Sequence, residues 1–340
     1  TIVLGCAMDR RTFLPLPLLA LSLVRTGHAR ATSDPAVAYA NRIRSGPIGY
    51  REGWFGAGDT RLHYVEAGRG PLVILYHGFP SFWFCWFNQM EALKSRYRVV
   101  AVDGLGANLT GKPSRLEPYR VPALAAQLEG LARQLGGRRP FTLVGHDWGA
   151  ALAFAFAEAW PHRLRGVAGL SAPPYNQFLD LVRSDPEQQA RSGYMQSFRA
   201  LTLADIRARG LAAAIFQQAY GPLLSAGKLS AAAGAIFRAA VADPLAMDGG
   251  MNWYRANIPP FAAIADGDYW PRRGTPLTVP ALLMWGNDDQ TFLPRFIDQF
   301  QAGAPTAQIV RLDGVGHWTP MEGGPAATGA LTAFIDRVAR

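Results

Sequence analysis

Cysteine is almost missing from this 340-residue chain, occurring only as Cys6 and Cys85. Cys6 precedes Met8, the first residue that reads as a translational start. Cys85 is then alone in the mature protein, which excludes a disulfide framework and a cysteine metal site. Within its aromatic surroundings Cys85 reads as a small buried apolar residue. Blocks of Lys/Arg interleaved with aromatics are also missing, so the formal charge of +9 carries no local support for nucleic-acid binding. Arg10, Arg11, Arg25 and Arg30 against Asp9 contribute three of those charges, leaving the remainder near +6 and only a mild attraction to anionic partners. No repeat and no low-complexity tract occurs beyond alanine richness. The apolar run Leu14 to Val24 falls short of the ~20 residues that a membrane-spanning helix needs.

That run has a different logic. Met8-Asp-Arg-Arg-Thr-Phe-Leu14 places paired arginines ahead of it, and Ala29-Arg30-Ala31 supplies small residues where a signal peptidase cuts. The Arg-Arg-x-Phe-Leu order resembles a twin-arginine export signal. Residues 1–31 are therefore expected to be a cleaved signal peptide, with 1–7 as upstream translation and a periplasmic or secreted mature protein. An uncleaved membrane anchor is the alternative.

What remains is nearly half apolar and long enough to bury a large core. Arg61 to Glu66 alternates as a strand does, and Leu72 to Tyr76 is a continuous apolar run, as in a strand covered on both faces. Arg98 to Val102, Phe141 to Val144, Leu164 to Leu170, Ala281 to Trp285 and Ala307 to Leu312 read likewise. Between them fall helical patterns over Pro122 to Leu135, from Ala150, and from about Ala326 to Arg340. Strands alternating with helices imply a doubly wound, mostly parallel sheet with functional loops at the strands' C-terminal ends. The stretch 173–279 breaks the rhythm. It is helix-like throughout (Gln188 to Arg199, Leu203 to Ala219, Ser230 to Ala242) and reads as an all-helical cap inserted between core segments 46–172 and 280–340.

One turn organises the rest. Gly145-His-Asp-Trp-Gly149 joins the strand Phe141 to Val144 to an alanine-rich helix. Strand, sharp turn and helix, with glycines two residues either side of the central one, form a nucleophile elbow. The central residue is Asp147 where serine is usual, so attack at saturated carbon would give an alkyl ester. Asp147 as a simple helix N-cap is the competing reading.

His77-Gly-Phe-Pro80, Gly145-His-Asp-Trp-Gly149, Trp285-Gly-Asn-Asp-Asp289 and Gly316-His-Trp318, in that order, resemble the α/β-hydrolase fold, in its epoxide hydrolase and haloalkane dehalogenase branch. The likeness is greatest to the epoxide hydrolases. It implies Asp147 as nucleophile, His317 as the base that activates water, and Asp289 rather than Asp288 as the acid orienting that base. It implies an oxyanion hole from the main-chain amides of Phe79 and Trp148, and cap tyrosines Tyr254 and Tyr194 as donors to the opened ring. Tyr175, Tyr220 and Tyr269 read as packing residues, and His77 and His146 as scaffolding. Asp103-Gly-Leu-Gly106 is taken as structural. Trp83 and Trp253 are candidate pocket residues, with simple packing over the pocket as the alternative. No cofactor and no metal are implied. The expected partners are a small apolar epoxide and water, with a homodimer left open. Haloalkane dehalogenase is the rival activity, weakened by Phe79 where that family often has Asn; a non-catalytic binding module on the same fold is the other.

Overall fold

A computed structural model of the chain describes residues 50–339. The expected signal peptide, Cys6 and the first residues of the expected core segment lie outside the described residues.

Eight strands form one sheet: β1 (Arg51–Phe55), β2 (Leu62–Ala67), β3 (Leu72–Tyr76), β4 (Arg98–Val102), β5 (Phe141–His146), β6 (Leu164–Leu170), β7 (Ala281–Gly286) and β8 (Gln308–Leu312). Their spatial order is β1-β2-β4-β3-β5-β6-β7-β8. β2 pairs antiparallel with both neighbours, and every pairing from β4 to β8 is parallel. Alternation along each central strand feeds two cores. Ile74, Tyr76, Leu143 and Leu283 pack on one face with α2 (Val121–Gly136) and α3 (Trp148–Ala159). Val73, Leu75, Val144 and Leu282 pack on the other, against α1 (Phe87–Leu93) and the C-terminal helix Gly324–Val338. Strands buried on both faces must be apolar at every position, which is why these runs do not alternate in polarity.

Between β6 and β7 run six helices: α4 (Tyr175–Ser184), α5 (Pro186–Ala200), α6 (Leu203–Ala208), α7 (Leu211–Ser225), α8 (Ala231–Val241) and α9 (Pro244–Asn257). No strand interrupts them. α10 (Arg295–Gly303) follows β7, and the C-terminal helix is α11. The architecture is thus an α/β-hydrolase sheet with an inserted helical cap. The expected helix from Leu203 to Ala219 is two: Gly210 adopts φ +58° and separates α6 from α7. Strand β1 was not anticipated. Among the described residues no helix is long and apolar enough to cross a membrane.

Candidate active site

The parallel register brings the C-terminal ends of β3, β5, β6, β7 and β8 to one edge, where Tyr76 pairs with Gly145, His146 with Leu170, and Gly286 with Leu312. Each of the four motifs sits at or just beyond a strand end on that edge. At the turn from β5 into α3, Asp147 takes φ +53° and ψ −124°, strained for a residue with a side chain. The turn closes so tightly that a Cβ on Gly145 would lie 2.0 Å from the Gly149 carbonyl oxygen. One on Gly149 would lie 2.0 Å from the Tyr76 carbonyl oxygen. Only hydrogen fits at either place.

The Asp147 side chain makes no capping bond to α3, which removes the simple N-cap reading. Its Oδ1 instead accepts the Phe79 amide at 2.9 Å. The peptide bond between Phe79 and Pro80 is cis. Oδ2 lies 3.5 Å from His317 Nε2. Burial works against ionisation of Asp147, but the His317 ring, with smaller contributions from His146 and the Trp148 amide, holds its pKa below the usual carboxylate range.

His317 Nδ1 lies 3.0 Å from Asp289 Oδ2, while Asp289 Oδ1 accepts the amides of Thr291 and Phe292 at 2.7 and 3.3 Å. Burial opposes the charged ring, yet the Asp289 and Asp147 carboxylates outweigh it and push the His317 pKa up to about 10. The loop around His317 is fixed by Glu322, which accepts the amides of Gly316 and Trp318, and by His146 Nε2, which donates to the His317 carbonyl at 2.8 Å. His146 itself stays neutral, its pKa lowered to about 4 by burial and by the neighbouring His317 charge. His77 is also scaffolding: Nδ1 donates to the Gly78 carbonyl and Nε2 accepts the Gly104 amide. Asp288 is exposed, and its amide bonds the Val315 carbonyl.

Tyr194 on α5 and Tyr254 on α9 project into the same space. With Asp147, His317, Phe79 and Trp318 they line a cavity of about 140 Å³, completed by Phe198, Ile215, Gln218 and Thr291. Both phenols are held protonated, mainly by burial and also by the Asp147 charge. The two rings pack edge to face with centroids 6.1 Å apart, and the Trp148 ring packs edge-on against Tyr254 at 5.2 Å. The other cap tyrosines are satisfied elsewhere: Tyr175 donates to the Asn257 and Asp268 carbonyls, Tyr220 to the Pro80 carbonyl and Tyr269 to Asp180.

The two candidate tryptophans part company. Trp253 donates its indole N–H to the Leu105 carbonyl at 2.8 Å and lines a smaller cavity of about 30 Å³ that shares Phe79 and Pro80 with the main one. Trp83 is a correction: it is buried among Tyr50, Phe82 and Phe84, and its amide donates to Asp103 Oδ1. It does not line the cavity over Asp147. Asp103 is indeed structural, bonding also to His63 and Asn108. Among the described residues no cluster of His, Cys, Asp and Glu could hold a metal.

A sheet of this order, with an elbow and a hydrogen-bonded His–Asp pair at its C-terminal edge, defines a hydrolase fold of one class. The chain belongs to the alpha/beta hydrolase fold family, whose model matches residues 71–324. Within that family it is similar to epoxide hydrolases. It is 32% identical to epoxide hydrolase 3 of Xenopus tropicalis over 76% of this chain and 70% of that one. It is 30% identical to an epoxide hydrolase of Caballeronia sordidicola, over 82% and 91%. The crystal structure of Bacillus megaterium epoxide hydrolase with an inhibitor superposes with a TM-score of 0.74 at 27% identity, covering 84% of this chain and all of that one.

Proposed function

We propose that this protein is an epoxide hydrolase that works through an alkyl ester on Asp147. The observation that carries the reading is the cavity itself: a carboxylate nucleophile, a base and two protonated phenols face one apolar space. Asp147 Oδ2, the oxygen turned from the Phe79 amide, attacks a ring carbon of the epoxide in line. The C–O bond breaks, and its oxygen takes a proton from Tyr254 or Tyr194. Water then adds to the ester carbonyl as His317 Nε2 removes its proton. The carbonyl oxygen, Oδ1, gathers negative charge against the Phe79 and Trp148 amides. Collapse of that intermediate expels Oδ2 with the product, His317 returns the water proton to it to complete the vicinal diol, and the proton left on the new Asp147 carboxyl group goes back to the phenolate, restoring both Asp147 and the tyrosine.

Charge explains the order of events. In the free enzyme the two carboxylates keep His317 protonated, which makes it no base at all. Esterification erases the Asp147 charge, so the His317 pKa falls at the step that needs a base. The same loss makes the phenols more acidic as the alkoxide forms, because the Asp147 charge was raising their pKa values.

The test uses His317→Gln protein exposed separately to styrene oxide and to a chloroalkane. The variant should gain the mass of one whole epoxide and hold it, and Asp147→Asn should abolish the gain. A gain equal to the alkane without its halogen would move the assignment to dehalogenation. No adduct with either would remove the nucleophile.

A further inference from the structure

α5 is bolted at both ends to the other parts of the candidate site. In its first turn, Gln188 is 0% exposed, and its amide spans two elements. Oε1 accepts the Leu293 amide at 3.0 Å. Nε2 donates to the Thr291 carbonyl at 3.1 Å and to Ser192 Oγ at 2.8 Å. In the same segment the amides of Thr291 and Phe292 hold Asp289 Oδ1 from the other side. Three residues of loop are therefore gripped between the Asp289 carboxylate and the Gln188 amide. Arg295, at the end of that loop, pairs with Asp185 and Glu187 beside Gln188. Six residues along α5 stands Tyr194. In the last turns Gln196 donates to the Pro259 carbonyl at 3.1 Å and Arg199 to the Arg255 carbonyl at 3.1 Å, fixing α5 to the end of α9, which bears Tyr254.

We propose that Gln188 is a positioning residue that places Asp289 and Tyr194 in one frame, so that a single buried amide sets both the orientation of the base and the reach of the ring-opening acid. The inference rests on the function proposed above. Only Gln meets the geometry. The site needs a donor and an acceptor on one side chain of this length, to satisfy a buried carbonyl and a buried amide one residue apart from Phe292. Glu has no donor when ionised, Leu has neither group, and Asn is one methylene short. With the amide gone, the Thr291 carbonyl and Leu293 amide are orphaned inside the protein, and the loop must move to find partners. Asp289 moves with it.

The two half-reactions separate this role from simple packing. Formation and decay of the Asp147 ester from styrene oxide are followed by rapid quench and intact mass. Tyr194→Phe should slow formation alone, and Asp289→Asn mainly decay. Gln188→Leu should slow both, each by about tenfold or more, since displacement near 1 Å costs rates of that order. It should also shift the pH dependence of ester decay, which reports the His317–Asp289 pair. Gln188→Glu, which keeps the acceptor and the side-chain volume, should show the same double defect at smaller size and serves if the Leu variant does not fold. Arg295→Ala cuts the partly exposed ion pairs at the same junction and should lower the melting temperature with both rates within about twofold of wild type. If the Gln188 variants slow only one step, or lose stability with both rates unchanged per folded molecule, the inference is overturned. A wild-type protein that forms no ester overturns the underlying reading first, and that outcome is seen before any Gln188 variant is made.

Discussion

Asp289→Asn tests the base–acid pair most sharply, because the structure dictates which way the new amide must face. Asp289 Oδ1 accepts two backbone amides, at 2.7 and 3.3 Å. An asparagine must keep its carbonyl oxygen there, so its NH2 group points at His317 Nδ1, 3.0 Å away in the wild type. A donor facing Nδ1 forces that nitrogen to be the acceptor and moves the ring proton to Nε2. The nitrogen nearest Asp147 then cannot take a proton from water. The same inversion of tautomer costs about 10⁴ in kcat in Ser-His-Asp hydrolases. Ester decay in Asp289→Asn should accordingly fall by about 10³–10⁴, whereas ester formation, which uses Asp147 Oδ2 and the two phenols, should fall by less than about tenfold. Rapid quench with intact mass reads both rates, and the ester should accumulate in steady state. Decay within tenfold of wild type, or formation falling in parallel with decay, would refute the reasoning.

Other outcomes follow from single positions. Gly149→Ala puts a methyl group against the Tyr76 carbonyl on β3, which cannot retreat without breaking the sheet. It should destabilise the fold by about 1–3 kcal/mol in denaturant unfolding and abolish turnover; wild-type behaviour in both would contradict the elbow argument. Tyr254→Phe removes one of the two ring-opening donors, so ester formation should slow by about tenfold or more, and the double change with Tyr194→Phe should exceed about 10². Stopped-flow rates that are additive and below twofold would assign both phenols to packing. Glu158, in the last turn of α3, has a buried Oε2 without a partner, and burial pushes its pKa up to about 8. Since the unfolded value is about 4.3, the native state retains a proton that the unfolded chain has lost, and stability falls as pH rises between about 4.3 and about 8. Glu158→Gln should flatten that fall, seen as a smaller drop in melting temperature from pH 5 to pH 8; an unchanged drop would place its cause elsewhere.

The elbow was legible because its chemistry is local: glycines at fixed offsets, a buried strand before and a helix after. The central strands were legible because burial on both faces demands unbroken apolar runs. Choice of Asp289 over Asp288 followed from the resemblance, whose spacing of glycine, acid and proline fits Gly286, Asp289 and Pro294, and the structure turns Asp289 inward and Asp288 outward. β1 escaped notice because Arg51-Glu-Gly-Trp-Phe55 is an edge strand, too exposed to show a pattern; its ladder with β2 sustains it. Trp83 could not be placed from sequence, since an aromatic residue there could line the pocket or pack over it. A 3-10 turn over Trp83–Trp86 carries it away from the cavity into the core. Gln188 and Glu322 were invisible for a different reason. A lone polar residue has no signature, and the Gln188 amide acts on a carbonyl 103 residues away. Gly210 could have been read as the break between α6 and α7, since a residue at φ +58° in mid-run calls for glycine.

The central claim is that the diol takes an oxygen from the protein and not from water. A single turnover in H2¹⁸O, with enzyme in excess over styrene oxide, decides it directly. The account predicts a first diol free of ¹⁸O and one ¹⁸O in the peptide bearing Asp147, because the attacking Oδ2 leaves with the product and water refills the carboxylate. Label in the first diol, with none in Asp147, would mean that water opened the ring itself, and the ester mechanism would be wrong.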